Sequence, residues 1–209
     1  PTLAAILNIL EGYDLAALEH NSPRYIHLVS MAMKAAFADR NKHLGDPAFV
    51  KVPLEWMLSK DRAAEWRKAL DAGQPIDTTR VQPGSKNTTQ VTVADRWGNV
   101  VSLTHSLGSS SGAIPAGMGF MYNNSMINYH PLPGHPNSIA PGKARTTGMA
   151  PTIVYRDGKP ILVIGAPGGT RIITSIAQVL VNILDFKMSV SDAVLAPRFD
   201  CQAGVISAQ

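Results

Sequence analysis

The sequence predicts an α+β fold, with antiparallel sheets flanked by helices. Three observations carry that prediction. Residues 1–72 repeat apolar side chains at helical spacing. From Thr88 onward the period drops to two, as in strands. Between the two regimes lies a polar stretch, 73–87, with Gly73, Pro75, Pro83 and Gly84 and no period, which reads as an exposed linker. The expected organisation is therefore a helical region 1–72, a linker 73–87 and a β-rich core 88–209.

Leu3 to Leu10 is a short apolar helix. Ser22-Pro23 supplies a cap followed by proline at the first helical position. Tyr25, Leu28, Val29, Ala32, Met33, Ala36 and Phe37 then recur along one helix face. Pro53 to Leu70 predicts one or two further helices, carrying Trp56 and Trp66. Val91 and Val93 alternate with polar residues, Asp95-Arg96-Trp97-Gly98-Asn99 is a turn, and Val100, Val101 and Leu103 resume a strand. Gly108 to Gly119 is a loop, Phe120-Met121-Tyr122 reads as a short strand, and Tyr129 to Thr147 is irregular. Pro151–Tyr155 and Pro160–Ile164 form a hairpin around Asp157-Gly158. Gly168 and Gly169 open a helix that buries Ile172, Ile173, Ile176, Val179, Leu180 and Ile183. Ser189 with Asp192 resembles a capping box for a last short helix. The final residues read as a strand.

Composition narrows the function classes. The 209 residues are 45% hydrophobic and 16% charged, as in an ordinary globular protein. The net charge of +4 is mild and its basic residues are scattered, so nucleic-acid binding is not indicated. Cys201 stands alone, which rules out an internal disulfide. No apolar run approaches the ~20 residues of a membrane span. Neither end looks like a natural terminus, so the sequence reads as an internal piece of a longer protein and its compartment is not legible.

Two segments invite chemistry. Asn87-Thr88-Thr89 sits where linker becomes strand. Self-cleavage before Thr88 would leave a hydroxyl nucleophile beside its own α-amine, which titrates near ~7.7–8.0 and serves as base. The same residues also read as a glycosylation acceptor or a plain strand start. Gly165-Ala166-Pro167-Gly168-Gly169-Thr170-Arg171 joins a strand to a helix. Its unpaired N–H groups fit an oxyanion hole, or an ordinary tight turn. The Gly-Lys-Ser/Thr ending of a phosphate loop is absent. His130 and His135 match no metal spacing and read as a solvated loop. Asn123-Asn124-Ser125 reads as a strand end with local hydrogen bonds, and Ser109-Ser110-Ser111 as loop.

Three segments together carry a resemblance. Met33-Lys34-Ala35-Ala36-Phe37-Ala38-Asp39-Arg40 with Leu44-Gly45-Asp46-Pro47 resembles the end of the large subunit of gamma-glutamyltransferases. Asn87-Thr88-Thr89 with Asp95, Gly98-Asn99 and the strand to Thr104 resembles the start of their small subunit. Met149-Ala150-Pro151-Thr152-Ile153-Val154, then Gly165 to Ile173, resembles its substrate-binding core. The resemblance implies an N-terminal-nucleophile hydrolase, a four-layer αββα sandwich of which this chain supplies part. It implies cleavage between Asn87 and Thr88, with Thr88 as nucleophile, Ser106 as a hydroxyl beside the new N-terminus, and Gly168 and Gly169 as oxyanion donors. No cofactor or metal enters that chemistry.

The implied substrate is a gamma-glutamyl amide of the glutathione type. The acyl group passes to water, an amino acid or a peptide, and the rest of the large subunit is a partner. The substrate-binding positions depart from the family pattern. Gly108 stands where asparagine is common, Ser125 where glutamine or glutamate is, Asn128 where an acid holds the amino group, and Thr147-Gly148 where serines pair. Those departures leave open an acylase of the same fold acting on another amide, such as a glutaryl-cephalosporin. An inactive core or structural module is the third reading.

Overall fold

The computed structural model describes residues 1–78 and 87–208. Most of the expected linker, including Pro83 and Gly84, lies outside them. The first part is helical: α1 (Thr2–Leu10), α2 (Pro23–His43), α3 (Leu54–Met57) and α4 (Lys60–Asp71). Two of these starts carry a side-chain cap. Ser22 Oγ accepts from the Tyr25 N–H at 3.2 Å at the head of α2, and Ser59 Oγ accepts from the Arg62 N–H at 3.0 Å at the head of α4. Such caps satisfy one of the donors that a helix start leaves unpaired.

The second part pairs strands locally. β1 (Thr88–Ala94) and β2 (Val100–Ser106) form one antiparallel hairpin, and β3 (Thr152–Arg156) and β4 (Lys159–Ile164) another. Asp157 and Gly158 both take positive φ at the tight turn between β3 and β4. α5 (Arg171–Leu184) and α6 (Val190–Leu195) follow. Ser189 caps α6, its Oγ accepting from the Asp192 N–H at 3.1 Å. β5 (Phe199–Asp200) then pairs with β6 (Ser207–Ala208). The described residues thus carry helices and three two-stranded antiparallel sheets.

Helix α5 ties the parts together because it is apolar on two faces. Ile173, Ala177 and Val181 join a core with Ile6 and Ile9 of α1 and Val29, Met33 and Phe37 of α2. Ile172, Ile176 and Leu180 pack against Val154, Leu162 and Ile164 of the β3–β4 hairpin. Burying an isoleucine or leucine contributes about 1.5–3 kcal/mol, so this helix is the main seam. Its buried polar side chains recognise β5. The Gln178 amide accepts from the Phe199 N–H at 3.1 Å and donates to the Phe199 carbonyl at 2.7 Å.

One expectation needs correction. Phe120-Met121-Tyr122 is not a strand; pairing here is confined to an isolated bridge between Ser110 and Asn123. Gly117 and Gly119, both at positive φ, turn the chain before a ladder can extend. The β1–β2 hairpin turns its apolar side chains outward. Val91, Val93, Val101 and Leu103 are about half exposed, at 45%, 53%, 55% and 54%. Thr88, Gln90, Ser102, Thr104 and Ser106 occupy the opposite, half-buried face. A polar inner face on a strand pair is what a reaction site needs and a core does not.

Candidate active site

Thr88 opens β1 and lies directly across from Ser106, the last residue of β2. Direct opposition brings side chains into reach, and Thr88 Oγ1 lies 2.8 Å from Ser106 Oγ. The peptide before Thr88 is held as closely. The Leu107 N–H donates to the Asn87 carbonyl at 3.1 Å, and Ser106 Oγ donates to the same oxygen at 3.4 Å. The Gly108 N–H donates to Ser106 Oγ at 3.0 Å. The Asn87 N–H in turn reaches the Gly108 carbonyl at 3.3 Å, and its side-chain amide donates to Ser110 Oγ at 3.1 Å. Ser106 therefore stands between a hydroxyl and the carbonyl of the adjoining peptide bond, within hydrogen-bond reach of both.

The glycine turn is fastened to this hairpin. Gly168 and Gly169 take φ of +129° and +66° just before α5, a conformation that side chains with a Cβ resist. Ser102 Oγ on β2 donates to the Ile164 carbonyl at 3.1 Å, where β4 leaves for the turn. Gln90, two residues after Thr88 and on the same face, lies against Gly165. A Cβ placed on Gly165 would sit 2.1 Å from the Gln90 Cδ. The Gln90 amide is itself fixed by Thr104 Oγ1 at 2.5 Å and Ser102 Oγ at 3.0 Å. From the other side Gly148 approaches the backbone of Gly169, where a Cβ would fall 2.4 Å from the Gly169 oxygen. The expected substrate-binding residue Gly148 is thus a close-packing support of the turn.

A cavity of about 510 Å³ adjoins the hairpin, lined in part by Ser106, Ser125, Tyr129, Arg145, Thr147 and Met149. Of the expected substrate-binding residues, Ser125 and Thr147 line it. Gly108 borders Ser125, its added Cβ falling 3.4 Å from Ser125 Oγ. Asn128 is outside this lining; its carbonyl accepts from the Asn137 side chain at 2.7 Å. Sequence reasoning missed Arg145 and the packing of Gln90 against Gly165, which arise from contacts with no local signature. Arg145 donates from Nη1 to the Thr146 carbonyl at 2.9 Å and from Nη2 to Ser125 Oγ at 3.1 Å. Its burial lowers the guanidinium pKa. The loop that carries it is anchored by Asp46, whose carboxylate accepts from the Ala144 N–H at 2.6 Å and the Ala48 N–H at 3.0 Å. Those two hydrogen bonds keep Asp46 below the usual carboxylate range.

The remaining motifs settle as structure. His130 and His135 stack at 4.0 Å, and His135 Nε2 meets the Asn41 carbonyl at 2.6 Å, so this pair pins the loop to α2 rather than lying loose in solvent. No cluster of three or more metal-ligating side chains occurs among the described residues. Asn123 Oδ1 accepts from the Ser125 N–H at 2.9 Å, the expected local bond. Ser109, Ser110 and Ser111 each make a hydrogen bond within the site's rim. No helix of the described residues is long and apolar enough to cross a membrane.

The family model for gamma-glutamyltranspeptidase matches residues 1–208. The chain belongs to the gamma-glutamyltranspeptidase family. Among its relatives is an acylase ACY 1 proenzyme of Pseudomonas sp. (strain V22), 44% identical over 208 residues, covering 98% of this chain and 37% of the relative. A glutathione hydrolase proenzyme of Pseudomonas sp. (strain A14) is 38% identical over 217 residues, covering 96% of this chain and 38% of the relative. The crystal structure of a cephalosporin acylase from Bacillus halodurans superposes with a TM-score of 0.79 at 28% identity, covering 97% of this chain and 37% of that one. The chain therefore spans less than two fifths of these relatives' length. Its fold is that of the N-terminal-nucleophile hydrolases of this family, and its relatives are transferases, hydrolases and acylases.

Proposed function

We propose that this gamma-glutamyltranspeptidase-family chain is the catalytic core of a self-cleaving amide acyltransferase or hydrolase. One observation carries the reading: the Thr88 hydroxyl sits 2.8 Å from Ser106 Oγ while Ser106 and the Leu107 N–H both face the carbonyl of the preceding residue. Thr88 Oγ1 attacks the Asn87 carbonyl carbon, its proton passing through Ser106. The oxyanion gathers the Leu107 N–H and the Ser106 hydroxyl. Collapse breaks the C–N bond, the leaving nitrogen takes that proton from Ser106, and an ester on Thr88 remains beside a free α-amine. Water then hydrolyses that ester, giving a carboxylate on Asn87 and a mature Thr88.

In turnover the α-amine takes the Thr88 proton and the hydroxyl attacks the substrate amide. The Gly168 and Gly169 N–H groups hold the oxyanion, the leaving amine takes the proton, and an acyl-enzyme remains. Water completes a hydrolysis; an amino acid or peptide amine completes a transfer. On this reading, residues 1–72 end a large subunit, 73–87 form the linker that is cut, and 88–209 begin the small subunit. The rest of the large subunit is the partner. The half-exposed ladder of Val91, Val93, Val101 and Leu103 supports that partnership, being an apolar face that this chain leaves uncovered.

The acyl donor is a gamma-glutamyl amide or a related amide of the acylase type. A gel of the full-length protein tests the core of the proposal. Wild type converts to two bands, and Thr88→Ala remains one band without activity. A wild-type chain that stays whole and inactive would favour a structural module instead.

A further inference from the structure

Resting on Thr88 as the nucleophile and on a cut before it, we propose that Asp46 is a positioning residue for turnover. From the fragment that precedes the cut, its carboxylate holds the wall of the cavity that the other fragment builds beside Thr88. The turn of Leu44-Gly45-Asp46-Pro47 is fixed locally. Asp46 Oδ1 accepts from the Ala48 N–H at 3.0 Å, and the Asp46 carbonyl accepts from the Phe49 and Val50 N–H groups at 2.9 and 3.0 Å. The second carboxylate oxygen reaches 98 positions along the chain, where Oδ2 accepts from the Ala144 N–H at 2.6 Å. A backbone N–H bonded to an ionised carboxylate makes a charge-assisted bond, stronger than a neutral one by about twofold.

The same stretch meets the loop at further points. Asn41 of α2 offers its carbonyl to His135 Nε2 at 2.6 Å. Lys143 Nζ lies 5.7 Å from the Phe49 ring centre. Gly45 does not take positive φ. Its missing side chain serves a close approach instead, since a Cβ there would fall 2.4 Å from the Pro136 oxygen. At Ala144 the loop becomes cavity wall: Ala144, Arg145 and Thr147 line the same space as Ser106. The far edge of the wall rests on Ser125 Oγ, through Arg145 Nη2 at 3.1 Å. Asp46 thus sets one edge of the wall and Ser125 the other. Self-cleavage draws on Ser106 and the Leu107 N–H, on the hairpin's side, and needs no wall. Turnover must seat a free substrate against it, where a displacement of about 1 Å costs on the order of 10²-fold.

Asp46→Asn separates the clamp from the local turn. Asparagine keeps one acceptor for the Ala48 N–H but opposes an NH2 group to the Ala144 N–H. In the full-length protein this variant self-cleaves at the wild-type rate. Its KM for gamma-glutamyl or glutaryl p-nitroanilide, whichever the wild type turns over faster, rises about tenfold, with kcat within about twofold. Hydrogen exchange of the peptide carrying Ala144 speeds up in the self-cleaved enzyme. Gly45→Ala displaces the loop by a second route, against the Pro136 carbonyl, and gives the same split between KM and kcat. An unchanged KM in both variants, with or without faster exchange at Ala144, would overturn the proposal while leaving Thr88 in place. So would a loss of self-cleavage in both, which would make the clamp a requirement of the fold and not of turnover. Turnover that survives Thr88→Ala would instead overturn the nucleophile reading, and this one with it.

Discussion

At the residue scale, Ser106 makes the most specific demand. It bridges Thr88 Oγ1 and the Asn87 carbonyl, and it is itself oriented by the Gly108 N–H. Ser106→Ala removes one oxyanion donor of the self-cleavage step, so cleavage is expected to slow by about 10²–10³-fold. Ser106→Thr keeps the hydroxyl and stays within about tenfold of wild type. Band conversion on a time-resolved gel measures both. The pairing of Thr88 with Ser106 was legible in the sequence only through family resemblance. Nothing local in either residue announces a cross-strand contact 18 positions apart. Arg145 was less legible still, because its place beside Ser125 comes from a contact 20 positions away.

At the element scale, the hairpin and the glycine turn act as one unit. Gln90 is the strap between them, lying over Gly165 and held by Thr104 and Ser102. Gly165→Ala puts a methyl group into the Gln90 amide and is expected to lower kcat at least about tenfold by displacing the turn. Self-cleavage, which uses the Leu107 N–H and not the turn, is spared. Gln90→Ser in the same chain makes room and recovers activity; steady-state kinetics of the two variants check the coupling. The helical elements present a different demand. Asp39, which is 4% exposed, accepts from Arg62 Nε at 2.9 Å and Nη2 at 2.6 Å and from Trp66 Nε1 at 2.7 Å. Arg62 lies 4.4 Å from the ring centres of both Trp56 and Trp66. Asp39→Ala leaves that cation only the exposed Glu65 and strips Trp66 Nε1 of its acceptor, and is expected to cost about 1–3 kcal/mol, read as a lower unfolding midpoint with self-cleavage intact.

Legibility at this scale followed period and punctuation. Helix α2 was plain from Tyr25 to Phe37, and the β3–β4 hairpin from Asp157-Gly158, because each signal is local. β5 was missed, since two residues have no period and its partner, the Gln178 amide, lies 21 positions away. Phe120–Tyr122 misled because aromatic residues favour strands only where a neighbour completes a ladder.

At the scale of the whole molecule, one seam joins two functions. α5 binds the helical region to the β3–β4 hairpin, so the strands that carry the site are fixed to the part that precedes the proposed cut. That arrangement predicts that the two pieces stay together after cleavage, held by α1 and α2 against α5. The sequence announced the change from helix to strand but not which face of the β1–β2 hairpin turns inward. The most direct test of the central claim is N-terminal sequencing, with mass measurement, of the smaller fragment from purified full-length protein. The account predicts a fragment that begins Thr88-Thr89-Gln90 and co-purifies with its larger partner. A fragment beginning at any other residue, or an active protein that remains uncut, would contradict it.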